Sequence, residues 1–112
     1  MKQLFLYLSF TIFTVFAVQA QNIKADTIKV SGECGMCKNR IEKALKMPGI
    51  IAADYDPDTK LLAVKYNPDK ITNDKIQKKV ASVGHDTEKY RAEDSVYDKL
   101  PGCCQYERKA KE

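Results

Sequence analysis

The 112-residue sequence contains a single histidine, His85, and has neither a glycine-rich phosphate loop nor a paired-carboxylate motif. Hydrolytic and phosphoryl-transfer catalysis therefore lack their usual equipment. No block of five like charges occurs, and the formal charge of +4 is spread along the chain. That pattern describes a solvated surface and gives no basis for nucleic-acid binding. Internal repeats and low-complexity tracts are missing too, and the length allows one domain at most. The one long apolar run, residues 4–18, carries no charge but falls short of the roughly 20 residues that a membrane span needs.

That run follows Lys2 and precedes small residues, Val18 and Ala20, placed at −3 and −1 before Gln21. The pattern predicts a secretory signal peptide over residues 1–20, so the mature protein is expected outside the cytoplasm, in the periplasm, with no stable membrane insertion. Removal of that segment deletes one lysine and lowers the formal charge from +4 to +3.

What is present is cysteine, in two close pairs: Cys34 and Cys37 in a C-x-x-C, and Cys103-Cys104 near the far end. In an exporting pathway an even count normally suggests a disulfide framework. Both pairs are too close in sequence to staple distant segments unless they bridge each other. Cys37 falls at the start of an amphipathic stretch with Cys34 in the loop before it. Unpaired backbone N–H groups there favour thiolate, and Lys38 and Arg40 add positive charge nearby. Two thiolates facing each other across such a loop suit a nearly linear Cu(I) site, and by the same softness Hg(II). A Zn(II) site would need more protein ligands. The same spacing also serves thiol–disulfide exchange.

Around the cysteines, residues 27–31 alternate as a strand. Ile41, Ala44 and Leu45 continue a helical spacing from Cys37 until Pro48-Gly49 stops it. Residues 50–55 read as a second strand, Asp56-Pro57-Asp58 as a turn, and Leu62, Val64 and Tyr66 as the inward positions of a third strand. Thr72 is the expected N-cap of a second helix, with Ile71 and Ile76 as its hydrophobic staple. Ile76, Val80 and Val83 form its buried stripe, and Gly84 ends it. Residues 85–90 are expected to form a fourth strand. The order is βαββαβ, an α+β ferredoxin-like sandwich of a four-stranded antiparallel sheet with two helices on one face. A short C-terminal tail follows, in which Val96, Tyr97 and Leu100 allow one helical turn before Pro101-Gly102.

Cys34-Gly35-Met36-Cys37, the stretch Ile41-Glu42-Lys43-Ala44-Leu45, Pro48-Gly49 and Val83-Gly84-His85-Asp86 together make residues 24–90 resemble a heavy-metal-associated domain. That fold occurs in small copper chaperones, copper-pumping ATPases and periplasmic mercury-binding proteins. The resemblance implies a domain over residues 21–91 and an extension over 92–112. It also implies Cys34 and Cys37 as metal ligands, stepwise thiolate exchange, and a copper-transporting ATPase or efflux protein as partner. The family loop usually reads Gly-Met-x-Cys-x-x-Cys, its Met tethering the loop to the core. Here Gly32-Glu33-Cys34 lacks that Met and is one residue shorter, so Met36 is expected to pack inward instead, in preference to ligating metal through its thioether. His85 lies in the loop after the second helix, where the resemblance allows a nitrogen ligand or no metal role.

Cys103 and Cys104 could add thiolates to the first pair, form disulfides with it, or make a separate site; the first is favoured, because isolated thiols in an oxidising compartment are a liability. Tyr97 and Tyr106 are expected to dock the tail. The candidate metal ligands are therefore Cys34, Cys37, Cys103, Cys104 and His85. The leading expectation is a non-enzymatic carrier or buffer of Cu(I), acting as a monomer or a metal-bridged dimer. A Hg(II) scavenger, a thiol–disulfide exchange protein and a purely structural disulfide domain are the alternatives.

Overall fold

The computed structural model describes residues 22–108; the expected signal peptide lies outside the described residues. Three strands form one antiparallel sheet: β1 (Lys24–Lys29), β2 (Ile50–Asp56) and β3 (Leu61–Tyr66), in the order β1-β3-β2. Ile28 and Tyr55 both pair with Leu62 across the central strand. Two helices, α1 (Gly35–Ala44) and α2 (Asn73–Ser82), cover one face. The alternation of Leu62, Val64 and Tyr66 puts all three on that face. There they join Ile28, Val30 and Tyr55 beneath Ile41 and Leu45 of α1 and Ile76 and Val80 of α2. A short α3 (Asp94–Tyr97) and a 3-10 turn (Gly102–Cys104) complete the described chain.

The local signals act as their chemistry requires. Asp56 Oδ1 accepts from the N–H groups of Asp58 (2.8 Å) and Thr59 (3.4 Å), and Lys60 at φ 62° closes the hairpin. Thr72 caps α2 by accepting from the Lys75 N–H at 3.2 Å. At the other end Gly84, at φ +105°, donates to the Ala81 carbonyl at 3.0 Å, and His85 donates to the Val80 carbonyl at 3.4 Å. These two bonds are the Schellman pattern, which places a left-handed residue after the helix.

The fourth strand expected over residues 85–90 does not form; Val30–Thr87 is a single isolated bridge. Side chains take the bonds that a ladder would use. Glu88 Oε1 accepts the Lys29 N–H at 2.7 Å, and the Thr87 N–H turns back to the Tyr90 carbonyl at 2.8 Å. Buried Gln77 fixes that turn, its Oε1 accepting from Thr87 Oγ1 at 2.8 Å and from the Lys89 N–H at 3.1 Å. The sheet is therefore three-stranded.

The tail packs onto this body. A Cβ on Gly84 would stand 2.9 Å from Leu100 Cδ2, so the helix stop is also the seat for the tail. Tyr106 Oη donates to the Gly84 carbonyl and accepts the Asp86 N–H, each at 2.8 Å. Arg108 then clamps the end, donating to both Asp86 carboxylate oxygens (2.8 and 3.0 Å), to Asp94 (2.9 Å) and to the Ala92 carbonyl (2.6 Å). Replacing Gly84 should disturb the backbone and the tail seat together. Gly84→Ala is expected to lower stability by at least about 1 kcal/mol in urea unfolding followed by circular dichroism; an unchanged midpoint would contradict the close approach.

Candidate metal centre

The cysteine loop is held by its own backbone carbonyls. Tyr55, fully buried at the end of β2, donates its hydroxyl to the Val30 carbonyl at 2.7 Å. His85 Nδ1 meets the next carbonyl, Ser31, at 2.8 Å, and Lys60 Nζ donates to the one after that, Gly32. The main chain adds Val30 N–H to Lys60 O and Ser31 N–H to Asp86 O, both 2.9 Å. Gly32 passes so close to Tyr55 that a Cβ would lie 2.8 Å from its hydroxyl. This three-point tether supports a loop that lacks the family's methionine.

Cys34 is the N-cap of α1 in extended conformation, and its carbonyl accepts the N–H groups of Cys37 (3.0 Å) and Lys38 (3.2 Å). Cys37 lies one turn in and is fully buried. The tail brings Cys104, also fully buried, against them, with Cys37, Leu100, Cys104 and Tyr106 forming one apolar cluster. Cys34 Sγ stands 3.5 Å from Cys37 Sγ and 3.4 Å from Cys104 Sγ. The ligand atoms of these three residues all lie within 4.8 Å of one another, the one such group found among the described residues. All four cysteines are free thiols.

Cys34 is the thiol of depressed pKa in the cluster. Burial raises its pKa, but the Cys37 amide and the thiols of Cys104, Cys103 and Cys37 outweigh that and bring it down to about 6. Burial pushes the Cys104 thiol up, reinforced by hydrogen bonds to Cys37 and Cys34. At neutral pH the site thus holds the Cys34 thiolate with protonated Cys104 beside it. The lysine expected to assist does something else. Lys38 Nζ turns to β2, meeting Asp54 Oδ1 at 2.6 Å, Glu42 Oε2 at 2.8 Å and the Tyr55 carbonyl at 3.0 Å. Its charge is spent on two carboxylates.

The remaining candidates divide. Cys103 is exposed, with Sγ 3.5 Å from Cys34 Sγ. His85 falls outside the three-residue group: its imidazole is fully buried, stacked on Tyr106 at 5.8 Å between centroids, with Nδ1 on the Ser31 carbonyl. Burial holds its pKa below the ordinary value, so it serves the loop as a neutral ring. Met36 does not pack inward; it is 52% exposed, because the residue between Cys34 and Cys37 on the first helical turn points away from the core. Tyr55 and Lys60 were not among the candidates. Tyr55 carries a weak signal, a polar tip on an inward strand position, whereas a turn lysine carries none.

Residues 27–86 match the family model of the heavy-metal-associated domain. The chain belongs to that family. It is 34% identical over 61 residues to the copper chaperone CopZ of Staphylococcus epidermidis, a match spanning 53% of this chain and 90% of the relative. The water-soluble region of the P-type ATPase CopA from Bacillus subtilis superposes with TM-score 0.57 at 35% identity, covering 60% of this chain and 46% of that one. Oxidized MerP from Ralstonia metallidurans CH34 gives TM-score 0.57 at 25% identity, covering 60% and 96%. The family match ends before the tail, so Cys103 and Cys104 are additions to a heavy-metal-associated domain.

The depressed Cys34 pKa has a direct readout, because only thiolate reacts with iodoacetamide. In the reduced metal-free protein, Cys34 alkylation resolved by mass spectrometry should rise with pH through a midpoint near 6. Cys104 should react only at much higher pH. Equal midpoints for the two would contradict the assigned thiolate.

Proposed function

We propose that this protein is a carrier or buffer of Cu(I) outside the cytoplasm, holding its cargo on Cys34, Cys37 and Cys104. The observation that carries this reading is the three-sulfur cluster, two sulfurs from the family loop and one from the tail. With metal–thiolate bonds of about 2.3 Å, a linear pair needs sulfurs about 4.6 Å apart and a trigonal set about 4 Å. The Cys34–Cys37 and Cys34–Cys104 separations of 3.5 and 3.4 Å fit the trigonal arrangement better than the linear one. Soft sulfur donors with no carboxylate among them favour Cu(I) over hard cations, and three ligands are fewer than a structural Zn(II) site uses.

Binding displaces the Cys104 proton to water, while Cys34 is already anionic. Transfer proceeds by thiolate exchange: an incoming thiolate bonds to the ion, one protein sulfur leaves, and that sulfur takes up a proton. The likeness to the CopA region supports a copper-transporting ATPase or an efflux protein as the receiving partner. Export rests on the leader expected over residues 1–20, ahead of a domain over 21–91 and its extension over 92–112. The protein's own tail supplies the third sulfur, so metal bridging to a second copy is not required. Hg(II) scavenging is the second reading, supported by the likeness to MerP and by the same soft donors.

Anaerobic titration of the reduced protein against a chromophoric Cu(I) chelator tests the reading. Cys34→Ser and Cys37→Ser are expected to abolish tight binding. Cys104→Ser should weaken it by about tenfold or more, each decade being about 1.4 kcal/mol. Wild-type affinity in the Cys34→Ser, Cys37→Ser double variant would defeat the carrier reading. Metal analysis of the protein recovered from copper- and mercury-exposed cells separates the two cargoes.

A further inference from the structure

Beside the Cys34, Cys37 and Cys104 trio stand two further sulfurs, those of Cys103 and Met36. Cys103 Sγ is 3.5 Å from Met36 Sδ, 3.5 Å from Cys34 Sγ and 4.0 Å from Cys104 Sγ. Met36 comes from the first turn of α1 and Cys103 from the 3-10 turn, so separate elements converge on this point. Cys34 is the hub, within 3.5 Å of the other three thiol sulfurs. It meets both buried Cys37 and Cys104 and exposed Cys103. A methionine half-exposed between two cysteines, with its sulfur against a third, is placed for a ligand more than for packing.

We propose that Cys34, Cys103 and Met36 form a second, solvent-facing Cu(I) station that shares the Cys34 thiolate with the buried one. The proposal rests on the reading of the Cys34, Cys37 and Cys104 trio as a Cu(I) site. The charge balance favours this composition. When the second ion arrives, Cys103 loses its proton to water and bonds the metal, Cys34 adds a bridging bond, and the neutral Met36 thioether donates a lone pair. One positive charge enters and one leaves, so the loaded cluster gains no net charge. No oxidant or reductant takes part. Of the three ligands the neutral thioether is the weakest, so an incoming thiolate displaces Met36 first. The outer station is therefore the place of entry and exit, and the inner one the place of storage.

The test uses reduced, selenomethionine-labelled full-length protein loaded anaerobically with one and then two equivalents of Cu(I). At the selenium edge, a copper neighbour should be present at two equivalents and absent in Met36→Leu, with Met47→Leu as the control that keeps it. With a competing chelator, Cys103→Ser and Met36→Leu should each lower the capacity from two ions to one. The first equivalent should keep three sulfurs at the copper edge in both variants. Selenium without a copper neighbour in the wild type, a neighbour lost in Met47→Leu, or a capacity of two in both single variants would overturn the outer station. Fewer than three sulfurs around the first equivalent in the wild type would instead overturn the inner site, so the two failures are distinct. Cys103 and Met36 are exposed, and an unchanged circular dichroism spectrum verifies the fold of all three variants.

Discussion

The structure turns on the capture of three consecutive carbonyls, those of Val30, Ser31 and Gly32. A backbone segment leaving a sheet edge must find partners for its polar groups, and buried ones without partners are costly. Here a strand tyrosine, a post-helix histidine and a turn lysine each take one. The loop thereby inherits the rigidity of the core. Cys34 emerges from it at a helix N-terminus, where unpaired N–H groups and the helix dipole favour negative charge. The thiolate at the centre of the cluster is a product of where the chain is pinned.

The tail depends on the same anchorage. Gly84 ends α2 in a left-handed turn, and its missing Cβ leaves room for Leu100. Its carbonyl receives Tyr106, whose ring stacks on the histidine that grips Ser31. Tyr97 meets Tyr106 edge-on at 5.0 Å, and Arg108 lies 4.6 Å over the Tyr97 ring. Loop and tail thus share one wall of packed side chains, and Cys104 is delivered to Cys34 and Cys37 by that wall.

Much of the fold was legible in the sequence because its signals were local. Thr72, Gly84, the Asp56 turn and the alternation of Leu62, Val64 and Tyr66 each act within a few residues of themselves. The fourth strand failed because its fate was decided at long range, by Glu88 capturing an N–H of β1 and by Gln77 reaching across from α2. At the site, the C-x-x-C was plain, and the tail pair could be suspected from its chemistry alone. The tether by Tyr55 and Lys60 was not visible, since it depends on where separate elements meet. Lys38 misled for the same reason: its carboxylate partner Asp54 stands on the neighbouring strand.

Carrying Cys104 on the same chain as Cys34 and Cys37 has a consequence for dilution. A third thiolate supplied by a free small molecule would be lost as that molecule became scarce. A tethered one keeps an effective concentration set by the geometry of its link, in the millimolar range for short flexible connections, and the packing of Leu100 and Tyr106 presents it already aimed. In the proposed site, retention of a bound ion would then be independent of how much protein is present, and a recipient would have to outcompete an intramolecular ligand instead of waiting for spontaneous release.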